Sequence, residues 1–457
     1  MRLVYAKDVF NGASSRGRDG LCSFTCNLSK GRTRPRYVTI YRRASQAGGE
    51  RIRDEYDVIV VGAGPGGAVA ARTAAEECDV LMIEKRQEIG TPVRCAEGVL
   101  KSELVKFVHP DRTWISSYIQ GYRIFAPDGT TLEVSANAMG IEGELAYVLE
   151  RKIFDRELAK DAARAGADVL VRTRATGLIM EDGVVKGVKI RRLGENLEVR
   201  SKVVVGADGV ESQVGRWAGI NTALKLKDAG SGAQYLMADI EVEEDFCDVY
   251  VGSQAAGGYA WVFPKGEKLA NVGVGMPASM LGGRRAIEYL NTFVLKKFPE
   301  GQQLGVIMGS GPCSHALKTA VSNGLMLVGD AAHHCDPLSG GGITNAMEGG
   351  KIAGEVASKA VQQRDTSVRV LKEYEYKRRG SLFGKLQKHN YRIKEFIVTL
   401  SDKELNKLVR SLKGIKPREM NYISVAMRLI AANPKVLFVM RDLACLKELA
   451  DVLMEKD

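Results

Sequence analysis

Six consecutive residues near position 62 have the spacing of a dinucleotide-binding turn. Gly62-Ala63-Gly64-Pro65-Gly66-Gly67 follows the strand-like run 57–61 and opens an alanine-rich segment with helical spacing. A second apolar run, 80–83, ends at Glu84, which stands 22 residues after Gly62. Glycines here let a pyrophosphate approach a helix N-terminus, and an acidic side chain after the second strand can bind a ribose. The pattern therefore predicts a dinucleotide site.

Two further apolar runs end in turns that contain an aspartate. One leads to Asp208-Gly209, which by itself indicates only the end of a strand, and the other leads to Asp330. After Asp330, the glycines at 340–342 precede a helical pattern that begins at Ile343. An aspartate in such a turn can bind a ribityl hydroxyl, and a helix N-terminus can stabilise negative charge on a reduced flavin.

A later glycine pair does not complete a second dinucleotide motif. Gly309-Ser310-Gly311 lacks a third glycine and a following helical run, so we predict a loop there. A separate nicotinamide domain is therefore not expected, and the bound dinucleotide is better explained as FAD.

A cysteine and a row of aromatic residues could line a reaction site. Cys95 stands beside Arg94. A buried cysteine is usually an inert small hydrophobe, whereas a thiol near a flavin could donate a proton or tune the ring, and both alternatives stay open. Tyr259, Trp261 and Phe263 alternate along a predicted strand and so share one face. That face predicts a core, the wall of an apolar pocket, or both.

These elements predict a mixed α/β (α+β) protein with three domains after a leader. A Rossmann-like FAD-binding domain spans residues 56–367, and an antiparallel-sheet substrate domain is interleaved with it at about 99–145 and 225–310. Residues 368–457 are rich in Lys, Glu, Leu and Ala with helical spacing and predict a helical C-terminal domain. Residues 1–55 show little hydrophobic periodicity and predict a disordered basic leader.

The composition excludes several classes of protein. With 45% hydrophobic and 26% charged residues, the chain has the balance of a packed globular protein and is neither collagen-like nor disordered. Eight scattered cysteines do not form a disulfide framework, so a reducing cytoplasm is expected. No run reaches the roughly 18 apolar residues of a membrane-spanning helix, so membrane contact, at the inner face, would be peripheral.

Charge and histidines offer two further hypotheses that we do not favour. Of the net charge of +11, residues 1–55 carry +7, which would suit an RNA-binding arm, but the rest of the chain is only mildly basic and no nucleic-acid partner is expected. His333 and His334 are adjacent, point in different directions and lack a third ligand at a suitable spacing, so no metal is predicted.

Three motifs narrow the resemblance to one family. The glycine fingerprint and the two aspartate turns, in this order, resemble FAD oxidoreductases of the para-hydroxybenzoate hydroxylase type. Within these, the chain is similar to the geranylgeranyl reductase family over about residues 56–400. Its motifs P-x-x-C-G/A-E-G, E-R-x-x-F-D and Y-x-W-x-F-P with a later G-x-G resemble Thr91–Gly98, Glu150–Asp155, Tyr259–Pro264 and Gly273–Gly275. Within this family the chain looks most like archaeal members, which saturate isoprenoid ether lipids.

The resemblance implies roles for particular residues. The ADP half of FAD would be held by Gly62, Gly64, Gly66, Gly67 and Glu84, with a backbone contact from Ala175 to adenine. The residues implied to hold the flavin half are Cys95, Ala96, Gly98, Arg151, Asp330, Gly342 and Ile343. Those implied to line the substrate pocket are Tyr259, Trp261 and Phe263.

The same resemblance implies an activity. A reduced flavin would give a hydride to one alkene carbon of a geranylgeranyl lipid, and a proton would reach the other carbon from Cys95, water or another group. The alternative is an FAD-dependent monooxygenase acting on a small aromatic substrate, which shares the fold but not the segments around Cys95 and Trp261. Halogenases carry W-x-W-x-I-P, so Tyr259 and Phe263 disfavour halogenation. The electron donor stays open between ferredoxin and NAD(P)H.

Overall fold

Buried apolar runs and alternating runs build two different sheets in the computed structural model, which describes residues 52–414 and 422–439. The described residues from Asp54 onward belong to one compact unit. Most of the predicted leader at 1–55 lies outside the described residues, and so do residues 440–457 of the predicted helical C-terminal domain. The boundaries of the predicted domains stay predictions.

The strands, in chain order, are β1 (Glu55–Val61), β2 (Val80–Ile83), β3 (Gly98–Leu100), β4 (Ile115–Ile119), β5 (Gly121–Phe125), β6 (Thr131–Ser135), β7 (Ala146–Leu149), β8 (Asp168–Leu170), β9 (Thr173–Glu181), β10 (Val184–Arg192), β11 (Glu195–Gly206), β12 (Ala229–Ala238), β13 (Phe246–Val251), β14 (Tyr259–Gly266), β15 (Leu269–Pro277), β16 (Gln302–Pro312), β17 (Val321–Ser322) and β18 (Leu325–Leu327).

The α-helices are α1 (Pro65–Ala75), α2 (Lys101–Leu104), α3 (Ala136–Met139), α4 (Arg151–Ala165), α5 (Gln213–Trp217), α6 (Ala286–Lys297), α7 (Ile343–Gln363), α8 (Val368–Gly380), α9 (Leu382–Ile397), α10 (Asp402–Leu412), α11 (Tyr422–Ala432) and α12 (Val436–Val439). Short 3-10 helices cover Leu226–Asp228, Ser253–Ala255, Ala278–Met280 and Gly329–Ala332.

The first sheet is Rossmann-like. Its order is β17-β18-β11-β1-β2-β8, with β10 and β9 attached to β11 as an antiparallel meander. β1 lies parallel between β11 and β2, so that Val58 is opposite both Val203 and Val80. All three of these valines are fully buried, because helices cover a parallel sheet on both faces. The predicted mixed α/β class is confirmed.

The second sheet has the order β16-β12-β15-β14-β13-β5-β6. α6 covers one face through an apolar core that includes Leu290, Phe293 and Tyr250. The predicted antiparallel pairing holds except between β5 and β13, which run parallel, with Phe246 opposite Gly121. These two strands come from distant parts of the chain, and since no hairpin joins them, their relative direction is not restricted to antiparallel. A small third sheet has the order β3-β7-β4.

The prediction of a loop at Gly309-Ser310-Gly311 is wrong. These residues belong to β16, where Ser310 is opposite Ser231 of β12. Strands are recognised in a sequence by alternating apolar and polar side chains, and glycine has no side chain to contribute to that pattern. The sequence of this segment therefore does not indicate a strand. Its regular structure comes instead from the hydrogen bonds that β12 supplies to an edge strand.

Helices α1 and α7 cross with their backbones in contact. A Cβ atom on Gly350 of α7 would lie 2.2 Å from the carbonyl oxygen of Gly66 in α1. One turn further, a Cβ on Gly354 would lie 2.7 Å from Cβ of Thr73. Only glycine allows this approach, and it holds the two helix N-termini side by side.

We expect Gly350→Ala to lower the stability of the protein. The added methyl group would force α1 and α7 apart, which costs roughly 1–3 kcal/mol or more in a packed interior. The matched control is Gly380→Ala, because a Cβ on Gly380 meets no atom within 4 Å. The control should leave the melting temperature unchanged or raise it slightly. Equal melting temperatures for both variants would contradict the close helix crossing.

Candidate active site

The carboxyl ends of β1, β11 and β18 meet at one edge of the first sheet, where open α/β sheets bind their ligands. Gly62 follows β1 with a φ of 108°, and a Cβ there would lie 2.3 Å from the carbonyl oxygen of Ala207. The glycine fingerprint therefore packs directly on the Asp208 turn, which the sequence indicated only as a strand end.

Asp208 has an acceptor atom without a protein partner. Its Oδ2 accepts a hydrogen bond from the N–H of Val214 at 3.0 Å. Its Oδ1 is buried and has no hydrogen-bond partner in the described structure. Burial raises the pKa of this carboxyl group above its usual value, although backbone N–H groups oppose the shift. A buried acceptor of this kind fits a site that hydrogen-bonds a polar ligand.

The three later glycines of the fingerprint, Gly64, Gly66 and Gly67, have different structural roles. A Cβ on Gly66 would lie 2.9 Å from the carbonyl oxygen of Ala346, and one on Gly67 would lie 1.9 Å from that of Gly62. A Cβ on Gly64, the N-cap of α1, meets nothing within 4 Å. Gly66 and Gly67 are therefore needed for packing, whereas Gly64 leaves an open approach to a helix N-terminus. That arrangement fits a pyrophosphate.

Glu84 is hydrogen-bonded to the glycine fingerprint. Its carboxylate accepts hydrogen bonds from the N–H groups of Ala63, at 3.2 Å, and Arg86, at 3.0 Å. The N–H of Thr173 donates to the carbonyl of Glu84 at 2.9 Å, so β9 begins beside it. Ala175 lies two residues along β9, opposite Ile190. Glu84 and Ala175 therefore lie at the same end of the edge, as an adenosine group would require.

Asp330 lies beside the N-terminus of α7. This helix begins at Ile343, as predicted, and Gly342 is its N-cap. A Cβ on Gly342 would lie 3.7 Å from Oδ1 of Asp330. Burial raises the pKa of Asp330 to about 6, while the charge of Arg151 opposes this shift. The structure thus brings together Asp330, Gly342 and Ile343, next to the start of α1.

Cys95 lies next to the guanidinium group of Arg151, which is 15% exposed. Its sulfur accepts a hydrogen bond from the N–H of Glu97 at 3.2 Å. Burial raises the pKa of the Cys95 thiol, and the charge of Arg151 opposes this effect, so the thiol stays protonated near neutral pH. Arg151 is the first residue of α4 and binds Asp155 through two hydrogen bonds of 2.7 and 2.8 Å.

The aromatic row of β14 shares one face, as predicted. Ring centroids of Tyr259 and Trp261 are 5.8 Å apart, and those of Trp261 and Phe263 are 6.4 Å apart. A Cβ on Gly273 of β15 would lie 2.3 Å from the Trp261 ring, so this glycine makes room for the indole. A Cβ on Gly98 would lie 2.9 Å from the Phe263 ring. The row therefore packs on the segment 95–98.

Polar side chains join the row to both loops around it. Gln234 of β12 accepts a hydrogen bond from the Trp261 indole at 2.9 Å and donates to the carbonyl of Cys95 at 3.3 Å. The Tyr259 hydroxyl donates to the carbonyl of Ser339, in the loop before α7. Sequence reasoning missed Gln234. Only the order of strands in the sheet brings it near Trp261, since both residues are opposite Gly273 of β15.

Three other polar residues near Cys95 were not predicted as site residues, namely Glu97, Lys265 and Asn271. Lys265, on β14, contacts Glu97, and Asn271 of β15 contacts both Glu97 and the carbonyl of Ala96. Lys265 continues the alternation of the aromatic row two residues beyond Phe263, and that spacing was the available signal. Asn271 gave no signal, since its position opposite Phe263 depends on strand pairing.

The two adjacent histidines point to different partners, as predicted. His333 Nδ1 lies 3.0 Å from Ser314 Oγ, and His334 Nδ1 accepts a hydrogen bond from the N–H of Gly329 at 3.2 Å. Within residues 52–414 and 422–439, no group of three or more His, Cys, Asp or Glu side chains has the arrangement of a metal site. None of the helices described is both long and apolar enough to cross a membrane.

Comparisons with known proteins identify the family. The family model of the geranylgeranyl reductase catalytic domain matches residues 228–311, and that of an NAD(P)-binding Rossmann-like domain matches residues 60–125. A digeranylgeranylglycerophospholipid reductase from Methanocella arvoryzae is 53% identical over 388 residues, which cover 84% of this chain and 98% of the relative. The chain belongs to the geranylgeranyl reductase family. The resemblance found in the sequence is thereby confirmed.

Further relatives agree with this family and its fold. A digeranylgeranylglycerophospholipid reductase from Methanosarcina mazei is 50% identical over 85% of this chain and 96% of its own length. The crystal structure of a geranylgeranyl bacteriochlorophyll reductase-like protein from Thermoplasma acidophilum is 40% identical, with a TM-score of 0.81 over 85% of this chain and 99% of that one. A flavin-dependent brominase, 17% identical over 83% of this chain and 99% of its own, shares the fold with a TM-score of 0.63. These comparisons thus agree on the fold of the chain.

We expect Gly64→Ala to weaken flavin binding by at least about tenfold, because its methyl group would project into the open approach to α1. The loss of a glycine N-cap should cost the cofactor-free protein no more than about 1 kcal/mol of stability. FAD titration, followed by flavin fluorescence, and a thermal melt would measure the two effects separately. Gly380→Ala again serves as the control. Unchanged affinity in Gly64→Ala would mean that the cofactor does not approach at Gly64.

Proposed function

We propose that this protein is an FAD-dependent reductase that saturates the C=C double bonds of geranylgeranyl chains in isoprenoid ether phospholipids. The observation that carries the proposal is the contact between the aromatic row of β14 and the segment 95–98, with Phe263 packed on Gly98. An apolar wall thus adjoins the residues that we assign to the flavin. The names of the relatives at about 50% identity support the same substrate class.

The residues of the sheet edge fit the two halves of FAD. Gly62, Gly64, Gly66, Gly67 and Glu84 would hold the ADP half, with Ala175 beside the adenine. The residues that would hold the flavin half are Cys95, Ala96, Gly98, Arg151, Asp330, Gly342 and Ile343. When bound and reduced, FAD would supply a hydride to one carbon of the alkene.

The protein's own contribution would be orientation and proton supply. An isolated alkene is a poor hydride acceptor, so its position must be fixed closely before reaction. Tyr259, Trp261 and Phe263 would hold the isoprenoid chain by apolar contact and keep water away from it. The Cys95 thiol, whose pKa burial raises, keeps its proton near neutral pH and would donate it to the second alkene carbon.

We also propose two partners of the reaction. Either ferredoxin or NAD(P)H would serve as electron donor, since the site needs only reduced flavin. A peripheral contact with the membrane surface would follow from the nature of the lipid substrate. The cytoplasmic location inferred from cysteine usage stays a prediction.

Anaerobic turnover tests the function. FAD-loaded protein, reduced with dithionite, is mixed with a geranylgeranyl ether phospholipid, and the lipid masses are read afterwards. We expect a stepwise gain of one H2 per double bond. Unchanged lipid with the flavin bound and reduced would refute the proposal. Oxygen consumption that depends on a small aromatic substrate would instead support the monooxygenase alternative.

We expect Cys95→Ala to lower the turnover rate by roughly 10²-fold, which is the lower range for loss of a positioned general acid. FAD affinity should change little, because the substitution removes only a sulfur atom from one of the seven residues that we assign to the flavin half. The matched control is Cys78→Ala, at a half-buried thiol beside Ser358. Full turnover by Cys95→Ala would show that the proton comes from another group.

A further inference from the structure

A lysine is buried beneath the segment 95–98 with each of its protons matched to an acceptor. The Lys265 side chain is 5% exposed. Its Nζ lies 2.8 Å from Glu97 Oε2, 2.6 Å from the carbonyl oxygen of Leu149 and 3.0 Å from Glu150 Oε2. An ammonium group has three donors, so this set satisfies it fully.

Glu97 is equally well satisfied. The residue is 4% exposed. Its Oε1 accepts a hydrogen bond from the N–H of Arg151 at 2.8 Å, and its Oε2 accepts one from the Asn271 amide at 2.7 Å, besides that from Lys265. Its backbone has a φ of 73°, in the left-handed region that residues other than glycine seldom adopt. Such a conformation persists only where the surroundings hold it.

The cluster of Lys265, Glu97 and Asn271 contacts both residues that precede Glu97 in the turn. The N–H of Glu97 donates to the sulfur of Cys95 at 3.2 Å, and Asn271 donates to the carbonyl of Ala96 at 3.3 Å. Through Arg151, the cluster also contacts the helix that supplies the guanidinium group beside Cys95. The strained turn is thus attached to β14, β15 and α4 at once.

Stability alone does not explain this cluster. Burial of paired charges is often no more stabilising than burial of apolar side chains of the same size, because desolvation offsets the attraction. A buried, fully satisfied ion pair does favour one geometry over others. The Lys265–Glu97 pair acts most directly on the position of Cys95.

We propose that Lys265 is a positioning residue that acts through Glu97, holding the turn at Ala96–Glu97 so that the Cys95 thiol stays beside Arg151 and under the aromatic row. The use of this thiol in reduction rests on the proposed function, whereas its placement does not. The experiment therefore measures placement first and turnover second.

Site-specific alkylation of the FAD-loaded protein tests the placement. Wild type, Lys265→Met and the control Lys268→Met are treated with iodoacetamide, and the modification of each cysteine is followed by peptide mass spectrometry. Lys268 lies in the same hairpin, but its side chain is 57% exposed and pairs with Glu241, which is itself exposed. We expect the rate at Cys95 to rise at least about tenfold in Lys265→Met, through local opening of the turn. The rates at Cys78 and Cys313 should change less than about twofold, since local opening leaves the rest of the fold closed.

A second variant covers the case in which Lys265→Met does not fold. Asn271→Ala removes one neutral donor to Glu97 and leaves the Lys265–Glu97 pair intact, so no buried charge loses its oppositely charged partner. We expect the rate at Cys95 to rise about threefold in this variant, in the same direction but less than in Lys265→Met. The control Lys268→Met should match wild type at every cysteine.

The outcomes separate positioning from general stabilisation. An unchanged rate at Cys95 in both variants would overturn the proposal, and so would an equal rise at all cysteines, which would indicate loosening of the whole fold. If the lipid test succeeds, Lys265→Met should also lower kcat with little change in KM. If that test fails for wild type, the alkylation rates still decide whether Lys265 positions Cys95.

Discussion

The close approach of backbones at the sheet edge is the constraint on which the rest of the structure depends. A Cβ on Gly67 would lie 1.9 Å from the carbonyl oxygen of Gly62, and one on Gly350 would lie 2.2 Å from that of Gly66. No residue with a side chain fits at these positions. The start of α1 is therefore pressed against the end of β1, and α7 is held against α1. Two helix N-termini then face one place, where their dipoles favour negative charge.

The second sheet adds an apolar surface to this polar edge. Its face toward the segment 95–98 carries Trp261 and Phe263, and Gly273 leaves the space that the indole needs. Because Phe263 packs on Gly98, the segment 95–98 belongs to both surfaces at once. A small shift of this segment would move the thiol relative to both Arg151 and the aromatic row, and the buried contacts of Glu97 restrict such a shift.

Three ionisable groups of the site, Asp208, Asp330 and Cys95, share partial burial. It raises the pKa of Asp208, of Asp330 and of the Cys95 thiol, and the largest cause in each case is desolvation. In surroundings with little water, charges and dipoles act more strongly on one another than they would in solution. The site is thus suited to holding a neutral proton donor beside an apolar substrate.

Sequence by itself determined the parts that depend on local spacing. The fingerprint at Gly62–Gly67, the start of α7 at Ile343 and the shared face of Tyr259, Trp261 and Phe263 all follow from patterns within a few residues. The family could also be identified, because its motifs are short and contiguous. The prediction of a loop at 309–311 failed, since a glycine-rich strand has no side-chain alternation and depends on its partner.

Only the tertiary structure decided which distant residues meet. Gln234 reaches Trp261 because β12 and β14 both pair with β15. Asn271 faces Phe263 because of the register of β14 and β15. Lys265 meets Glu97 across 168 residues of chain. Strand order and register are set by the packing of whole sheets, so no local pattern around Gln234, Asn271 or Glu97 could have indicated their partners.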